Sequence, residues 1–258
     1  MQTALALFIH ALRMVFRNPA GTLRATWPGL VFLFLGSIGV LWSAATSEFD
    51  TSTFEPAGPV NWPAVSLMLV GYLLGSAITA IFWHRYVLLD DPHTPGPSLS
   101  AGMVLSYLWR VIKIALVTIL CLIPAIIVVL AFTTTSDQFT PFQSALSILL
   151  NWLGTYLLYR FALGLPGVCI GDDIGITDSF RHTKLLAIPL LWLTALSGVL
   201  TAIITWVGQL VPAPAQFGLL LDTGLFFIQA LIGASILTAL YGHLVQNRAL
   251  PGIPAKAL

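Results

Sequence analysis

Six long apolar segments constrain this chain more than any other feature. A bilayer core about 30 Å thick needs about 20 apolar residues in a helix, because lipid offers the backbone no hydrogen-bond partner. Of the 258 residues, 57% are hydrophobic and 8% are charged, and the mean hydropathy is +0.92. We therefore predict an all-α integral membrane protein, a single polytopic domain over residues 1–258. The expected spans are about 27–45, 64–83, 114–133, 142–159, 185–211 and 217–240.

The basic residues predict how the chain is oriented. All 11 Lys and Arg residues precede the first span, follow the sixth, or lie in the connectors after the second and fourth spans. Because cytoplasmic flanks accumulate Lys and Arg, this pattern places both termini in the cytoplasm and supports an even number of spans. The same side carries five of the ten acidic residues, so its formal excess is six positive charges. We expect a multi-pass protein of the bacterial inner (cytoplasmic) membrane whose cytoplasmic face attracts anionic headgroups.

The amino-terminal segment 1–26 is predicted to begin with an amphipathic helix that lies in the membrane interface and breaks at Asn18-Pro19. Its polar face carries His10, Arg13 and Arg17. The opposite stripe consists of apolar residues: Leu5, Phe8, Ile9, Leu12, Val15 and Phe16.

Similar short stretches at 98–110 and 177–184 precede the third and fifth spans. We therefore expect three related units, each an interfacial segment followed by a helical hairpin. The alternative is that aromatic and basic residues recur there only because all three positions lie at an interface.

Small residues give the second span a smooth face. Gly71, Gly75 and Thr79 recur at intervals of four residues. This spacing predicts the close approach of another helix, either within the chain or in a dimer.

A search for catalytic constellations finds no P-loop, no His-Glu-x-x-His, no Gly-x-Ser-x-Gly and no Cys-x-x-Cys. We therefore expect a protein that is not an enzyme and needs no cofactor. The residues closest to a metal-binding pattern are Asp90, Asp91 and His93 in one connector and Asp172 and Asp173 in another. A capped turn explains Asp90-Asp91-Pro92-His93 more simply, so no metal site is predicted.

Polar side chains inside a membrane are costly and are therefore functional candidates. We single out three within the predicted spans: Asn151, Asp222 and Gln229. Asp222 lies about five residues into the sixth span, shallow enough to reach headgroup water, so an interfacial role is the favoured alternative for it.

Two elements around the fourth connector carry a family resemblance. Arg160-Phe161-Ala162-Leu163-Gly164-Leu165-Pro166 leaves the fourth span, and Ser179-Phe180-Arg181-His182-Thr183 opens the fifth. These elements resemble poorly characterised bacterial six-span inner-membrane proteins, a group similar to the membrane domain attached to some glycerophosphoryl diester phosphodiesterases. The resemblance implies a fold and an inner-membrane location rather than a reaction, because the motif is structural.

The functional prediction is a non-enzymatic membrane protein that binds a partner or anionic lipid through basic cytoplasmic loops. The expected partners are headgroups of the bilayer, with a protein partner or a homo-oligomer as further options and no nucleic acid. A small transporter or channel is the alternative. The residues expected to contact lipid or a partner are Arg13, Arg17, Arg160, Arg181 and Lys184.

Overall fold

A computed structural model describes residues 1–46, 49–50, 55–56, 60–89, 100–133, 141–211 and 215–250. Within them the chain is helical apart from turns and one short antiparallel strand pair, β1 (Phe49–Asp50) and β2 (Glu55–Pro56). A 3-10 turn covers Lys184–Leu186. The helices are α1 (Gln2–Phe16), α2 (Pro19–Thr46), α3 (Trp62–Leu88), α4 (Ala101–Thr133), α5 (Pro141–Phe161), α6 (Gly164–Ile170), α7 (Ile176–His182), α8 (Ala187–Gln209) and α9 (Ala215–Leu244).

Six helical segments in the described part of the chain are long and apolar enough to cross a membrane, which confirms the predicted number. The largest difference from the predicted bounds is at α4, which begins at Ala101 rather than near residue 114. The Ser100 hydroxyl caps this helix by accepting a hydrogen bond from the Met103 amide at 3.1 Å. No glycine or proline interrupts residues 103–123. The described part of the stretch at 98–110 therefore forms the first turns of α4 and is not an element separate from the third span.

Helix α1 has the predicted bounds. Leu5, Ile9 and Phe16, from the predicted apolar stripe, are exposed. A second face, formed by Ala4, Leu7, Ala11 and Val15 at intervals of three or four, is buried, and of these only Val15 belongs to the predicted stripe. Small alanine side chains allow α1 to pack on this face, while the larger apolar side chains are left for lipid.

The helices group into two compact units. The first consists of Met1–Met14, Leu99–Leu200 and Ser235–Leu258, and it contains α4 to α7. The second consists of Val15–Ser98 and Thr201–Ala234, and it contains α2 and α3. Helices α8 and α9 each contribute residues to both units.

In the second unit, α2 and α3 pack through glycines, which confirms the close approach that the Gly71 spacing predicts. A Cβ atom on Gly71 would lie 2.5 Å from the Cα of Gly36. One on Gly75 would lie 2.8 Å from the backbone nitrogen of Leu33. Helix α2 supplies its own small residues to this contact, so the partner of α3 is within the chain.

Candidate functional site

Arg160, at the end of α5, is the centre of a buried polar network in the first unit. The residue is 5% exposed. Its Nε donates to the Thr183 hydroxyl at 2.9 Å, and its two Nη atoms donate to the Tyr156 hydroxyl at 2.9 Å and the Phe180 carbonyl at 3.2 Å. The guanidinium also lies 4.0 Å from the centroid of the Phe180 ring, within range of a cation–π interaction. Arg160 therefore holds α7 against α5, and its burial does not support the prediction that it contacts lipid or a partner.

Ser179 completes this network from α7. It is fully buried, and its hydroxyl donates to the Arg160 carbonyl at 2.8 Å while accepting from the Leu163 amide at 3.1 Å. Both bonds satisfy backbone groups that the end of α5 leaves without helical partners. The two elements that carry the family resemblance are thus in direct contact with each other.

Glycines shape the connection between α6 and α7. Gly171 ends α6 with a φ of 85°, in the left-handed region that favours glycine. The chain then folds back, and the Asp172 amide donates to the Gly167 carbonyl at 2.9 Å. A Cβ atom on Gly167 would lie 2.6 Å from the Asp172 carbonyl oxygen, so only glycine fits there. This return places Asp172 and Asp173 next to α4 and the last part of α9.

Both of these carboxylates have partners in the first unit. Arg110 of α4 pairs with the Asp173 carboxylate through Nη2, and its Nη1 donates to the carbonyls of Ile174 at 2.7 Å and Gly164 at 3.2 Å. The Tyr241 hydroxyl donates to the Asp172 carboxylate. Among the residues that the structure describes, no group of three or more His, Cys, Asp or Glu is arranged to hold a metal ion. The other metal candidates, Asp90, Asp91 and His93, lie outside the described residues.

A cavity of about 450 Å³ opens in the second unit between the ends of α8 and α9. Asp222 and Gln229 line it together with Gln209 and Thr205, so two of the three predicted intramembrane polar residues share one cavity. Asn151 lies on α5, in the first unit, with its side chain exposed.

A second cavity, of about 360 Å³, lies beside α4 in the first unit, and we call it the α4 cleft. Lys113 is exposed, with its ammonium nitrogen 6.0 Å from the centroid of the Trp109 ring. Asp173 pairs with Arg110 yet keeps 87% of its side chain exposed. The residues of the cleft that carry polar groups are Ser106, Trp109, Arg110, Lys113, Asp172 and Asp173.

The other predicted contact residues are all exposed: Arg13, Arg17, Arg181 and Lys184. Arg181 lies 3.7 Å from Asp178, but both side chains are more than half exposed, so this ion pair contributes little to stability. Phe180 and Leu185 flank these basic residues and are 44% and 66% exposed. We call Phe180, Arg181, Lys184 and Leu185 the α7 surface.

The pKa of His10, on α1, is lowered by partial burial and, to a smaller extent, by the positive charge of Arg13. His10 is therefore held in its neutral form to a lower pH than an exposed histidine.

Some residues of these sites carry no signal in the sequence. Arg110 and Tyr241 lie far from the aspartates along the chain, so only the fold reveals their pairing. In the second unit, Ser37 of α2 bonds to the Thr223 hydroxyl of α9 at 2.5 Å and to the Tyr72 hydroxyl of α3 at 3.2 Å. Hydroxyl groups of this kind join helices in a membrane, but they are too common in apolar helices to identify in advance.

Comparison with known proteins adds no further constraint on these sites: no family model, curated protein or solved structure matches this chain.

Proposed function

We propose that this protein is a non-catalytic, multi-pass protein of the bacterial inner membrane that binds anionic phospholipid headgroups at its cytoplasmic face. The observation that carries the proposal is the α7 surface. It exposes two basic side chains, Arg181 and Lys184, beside two large apolar ones, Phe180 and Leu185. Such a combination fits a membrane interface, where apolar groups enter the acyl region and basic groups meet phosphates.

The Arg160 network supports this proposal because it fixes the position of α7. Arg160, Ser179 and Thr183 bond α7 to the end of α5, and the Arg160 guanidinium covers the ring of Phe180. A helix of seven residues is too short to be stable by itself. The buried network therefore orders a surface on which Arg181 and Lys184 remain exposed.

The location and orientation in the proposal come from the distribution of Lys and Arg along the sequence. The cytoplasmic leaflet of a bacterial inner membrane contains anionic lipid, which gives the basic side chains their ligand. Each exposed basic residue near such a surface contributes about 1 kcal/mol of attraction.

Electron paramagnetic resonance with spin-labelled lipids tests the proposal. We expect the reconstituted protein to prefer spin-labelled phosphatidylglycerol over phosphatidylcholine in its lipid shell. Replacing both residues in Arg181→Gln/Lys184→Gln is expected to reduce this preference by about fivefold for each charge removed. The matched control, Arg181→Lys/Lys184→Arg, keeps both charges and is expected to keep the preference. An unchanged preference in the neutral variant would overturn the proposal.

A small transporter is the second candidate, and the cavity lined by Asp222 and Gln229 favours it. A carboxylate in an apolar helix favours cations, and amide groups at Gln209 and Gln229 offer further polar contacts. The test is the uptake of radiolabelled rubidium and methylammonium by proteoliposomes. Transport through this cavity predicts that Asp222→Leu abolishes uptake and that Asn151→Leu, outside the cavity, leaves it intact. Equal uptake by both variants would exclude this route.

A further inference from the structure

The α4 cleft differs from the α7 surface in its charge balance. It brings together two cations, Arg110 and Lys113, and two carboxylates, Asp172 and Asp173, so its formal charge is zero. The α7 surface, in contrast, consists of two cations and two apolar residues. A purely anionic ligand in the cleft would meet two carboxylates at short range, which costs energy in a partly desolvated site.

The charged side chains of the cleft also differ in how far they are paired and exposed. Arg110 is 17% exposed, and its guanidinium is occupied by Asp173 and by the carbonyls of Gly164 and Ile174. Lys113 is exposed, and no described acidic residue lies within ion-pair distance of it. Asp173 keeps 87% of its side chain exposed. A ligand therefore meets one accessible ammonium group, on Lys113, and accessible carboxylate oxygens on Asp173.

An exposed apolar stripe continues from the cleft along α4. Trp109, Ile112, Leu116 and Leu120 recur at intervals of three or four residues, on the same side of the helix as Lys113. All four are exposed, Leu116 by 61% and Leu120 by 67%. In a membrane this stripe faces acyl chains, and Lys113, which lies between Ile112 and Leu116, extends its ammonium group toward the headgroups. The polar cleft and the stripe together match an amphipathic ligand with a charged head.

We propose that the α4 cleft binds a zwitterionic phospholipid with a primary ammonium group, of the phosphatidylethanolamine class. The phosphate pairs with Lys113, the ammonium group donates to Asp173 and Asp172, and the acyl chains lie along the stripe of α4. A primary ammonium has three N–H donors for these carboxylates, whereas the trimethylated head of phosphatidylcholine has none. This inference rests on the proposed function, which is the binding of phospholipid headgroups. It adds a second lipid class, bound by residues other than those of the α7 surface.

The test is native mass spectrometry of the full chain released from nanodiscs with equal amounts of phosphatidylethanolamine, phosphatidylcholine and phosphatidylglycerol. We expect phosphatidylethanolamine to be retained over phosphatidylcholine by about tenfold, since its N–H donors form charge-assisted hydrogen bonds. Lys113→Gln removes the partner of the phosphate, which both lipids carry, and is expected to lower the retention of phosphatidylethanolamine at this site. Asp173→Asn removes a partner of the ammonium group and is expected to remove the selectivity over phosphatidylcholine. The matched control Lys184→Gln changes a lysine of the α7 surface and is expected to leave both retention and selectivity intact.

The Asp173→Asn variant needs a control for folding, because it also weakens the pair with Arg110. Its thermal unfolding is therefore compared with that of the wild-type protein. Lys113→Gln changes only an exposed side chain and keeps the proposal testable if Asp173→Asn fails to fold. Equal retention of phosphatidylethanolamine and phosphatidylcholine by the wild-type protein, or unchanged retention of phosphatidylethanolamine in Lys113→Gln, would overturn the inference.

The outcomes also distinguish the inference from the proposed function. Retention of phosphatidylglycerol alone, lost on neutralising Arg181 and Lys184, would overturn the inference and leave the proposed function standing. Retention of no lipid class by the wild-type protein would overturn both.

Discussion

The hairpin of α2 and α3 and the segment from Arg160 to Thr183 are held together by opposite means. In the hairpin the backbones approach because side chains are absent, as at Gly36 and Gly71. In the segment, side chains bridge the elements, and Arg160 and Ser179 bond to carbonyl and amide groups. Two regular helices have no free backbone groups along their length, so shape alone can join them. A chain that leaves a helix and turns twice has such groups, and buried polar side chains must satisfy them.

The largest effect is expected from removing the hydrogen bonds of Arg160 in the segment from Arg160 to Thr183. Arg160→Met keeps much of the side-chain volume but removes three donors, from the buried Thr183 hydroxyl and from the partly buried Tyr156 hydroxyl and Phe180 carbonyl. We expect a loss of about 3 kcal/mol in the free energy of unfolding. Unfolding in mixed detergent and SDS micelles measures it. The control is Arg181→Met, an exposed site that we expect to change stability by less than about 0.5 kcal/mol. Equal losses in the two variants would contradict the role given to Arg160.

The next effect tests the hairpin. Gly71→Ala places a methyl group 2.5 Å from the Gly36 Cα, so the helices must separate, at a cost of about 2 kcal/mol. Gly198→Ala is the matched control, because nothing lies within 4 Å of a Cβ at that position of α8. There the change is expected to stabilise the helix by roughly 0.5–1 kcal/mol. In the same unfolding assay, Gly71→Ala is predicted to lower the free energy of unfolding and Gly198→Ala to raise it. Changes of the same sign would refute the close packing at Gly71.

A smaller loss is expected from Ser179→Ala, which removes one hydroxyl that joins the Arg160 carbonyl to the Leu163 amide. Leaving both groups buried without this partner should cost about 1.5 kcal/mol. The control is Thr155→Val, which removes a hydroxyl that bonds to the Asn151 carbonyl one turn earlier in the same helix. That bond adds little to a carbonyl already in a helix, so the control should change stability much less. If Thr155→Val costs as much, the bridging role of Ser179 is wrong.

The smallest effect on stability is expected at His10, the partly buried titratable side chain of α1. Because the pKa of His10 is lowered by burial, the folded chain binds fewer protons than the unfolded chain as the pH falls through 6.5. Stability from the neutral form is therefore lost on acidification. Between about pH 7.5 and pH 5.5, the wild-type melting temperature should fall slightly more than that of His10→Gln. If the melting temperatures of the two proteins fall in parallel with pH, His10 does not contribute to the pH dependence of stability.

The sequence predicts the regular parts of this fold well. Span number follows from hydropathy, and the α3 contact follows from the spacing of Gly71 and Gly75, because both signals are local in the chain. The start of α4 was misplaced because an interfacial stretch and a span are both good helix formers, and no glycine or proline separates them. The face of α1 that is buried in the protein was not predicted, because hydrophobicity alone does not say which apolar side chains meet protein and which meet lipid.

The candidate sites were predictable only in part. Asp222 and Gln229 lie seven residues apart on one helix face, so the sequence places them together, but the cavity depends on the spacing of α8 from α9. Arg160 was expected on the surface because arginine usually is. Its partners Phe180 and Thr183 are 20 and 23 residues away, and no local pattern connects them. The pairing of Arg110 with Asp173 was hidden for the same reason.

The central claim is that this protein binds phospholipid headgroups rather than a protein partner or a transported solute. Native mass spectrometry tests it most directly when the protein, at its natural expression level, is extracted with its own membrane into nanodiscs. The predicted result is a complex that retains phospholipid at defined stoichiometry, with retention reduced in Arg181→Gln/Lys184→Gln. A stoichiometric protein partner with no retained phospholipid would contradict the claim.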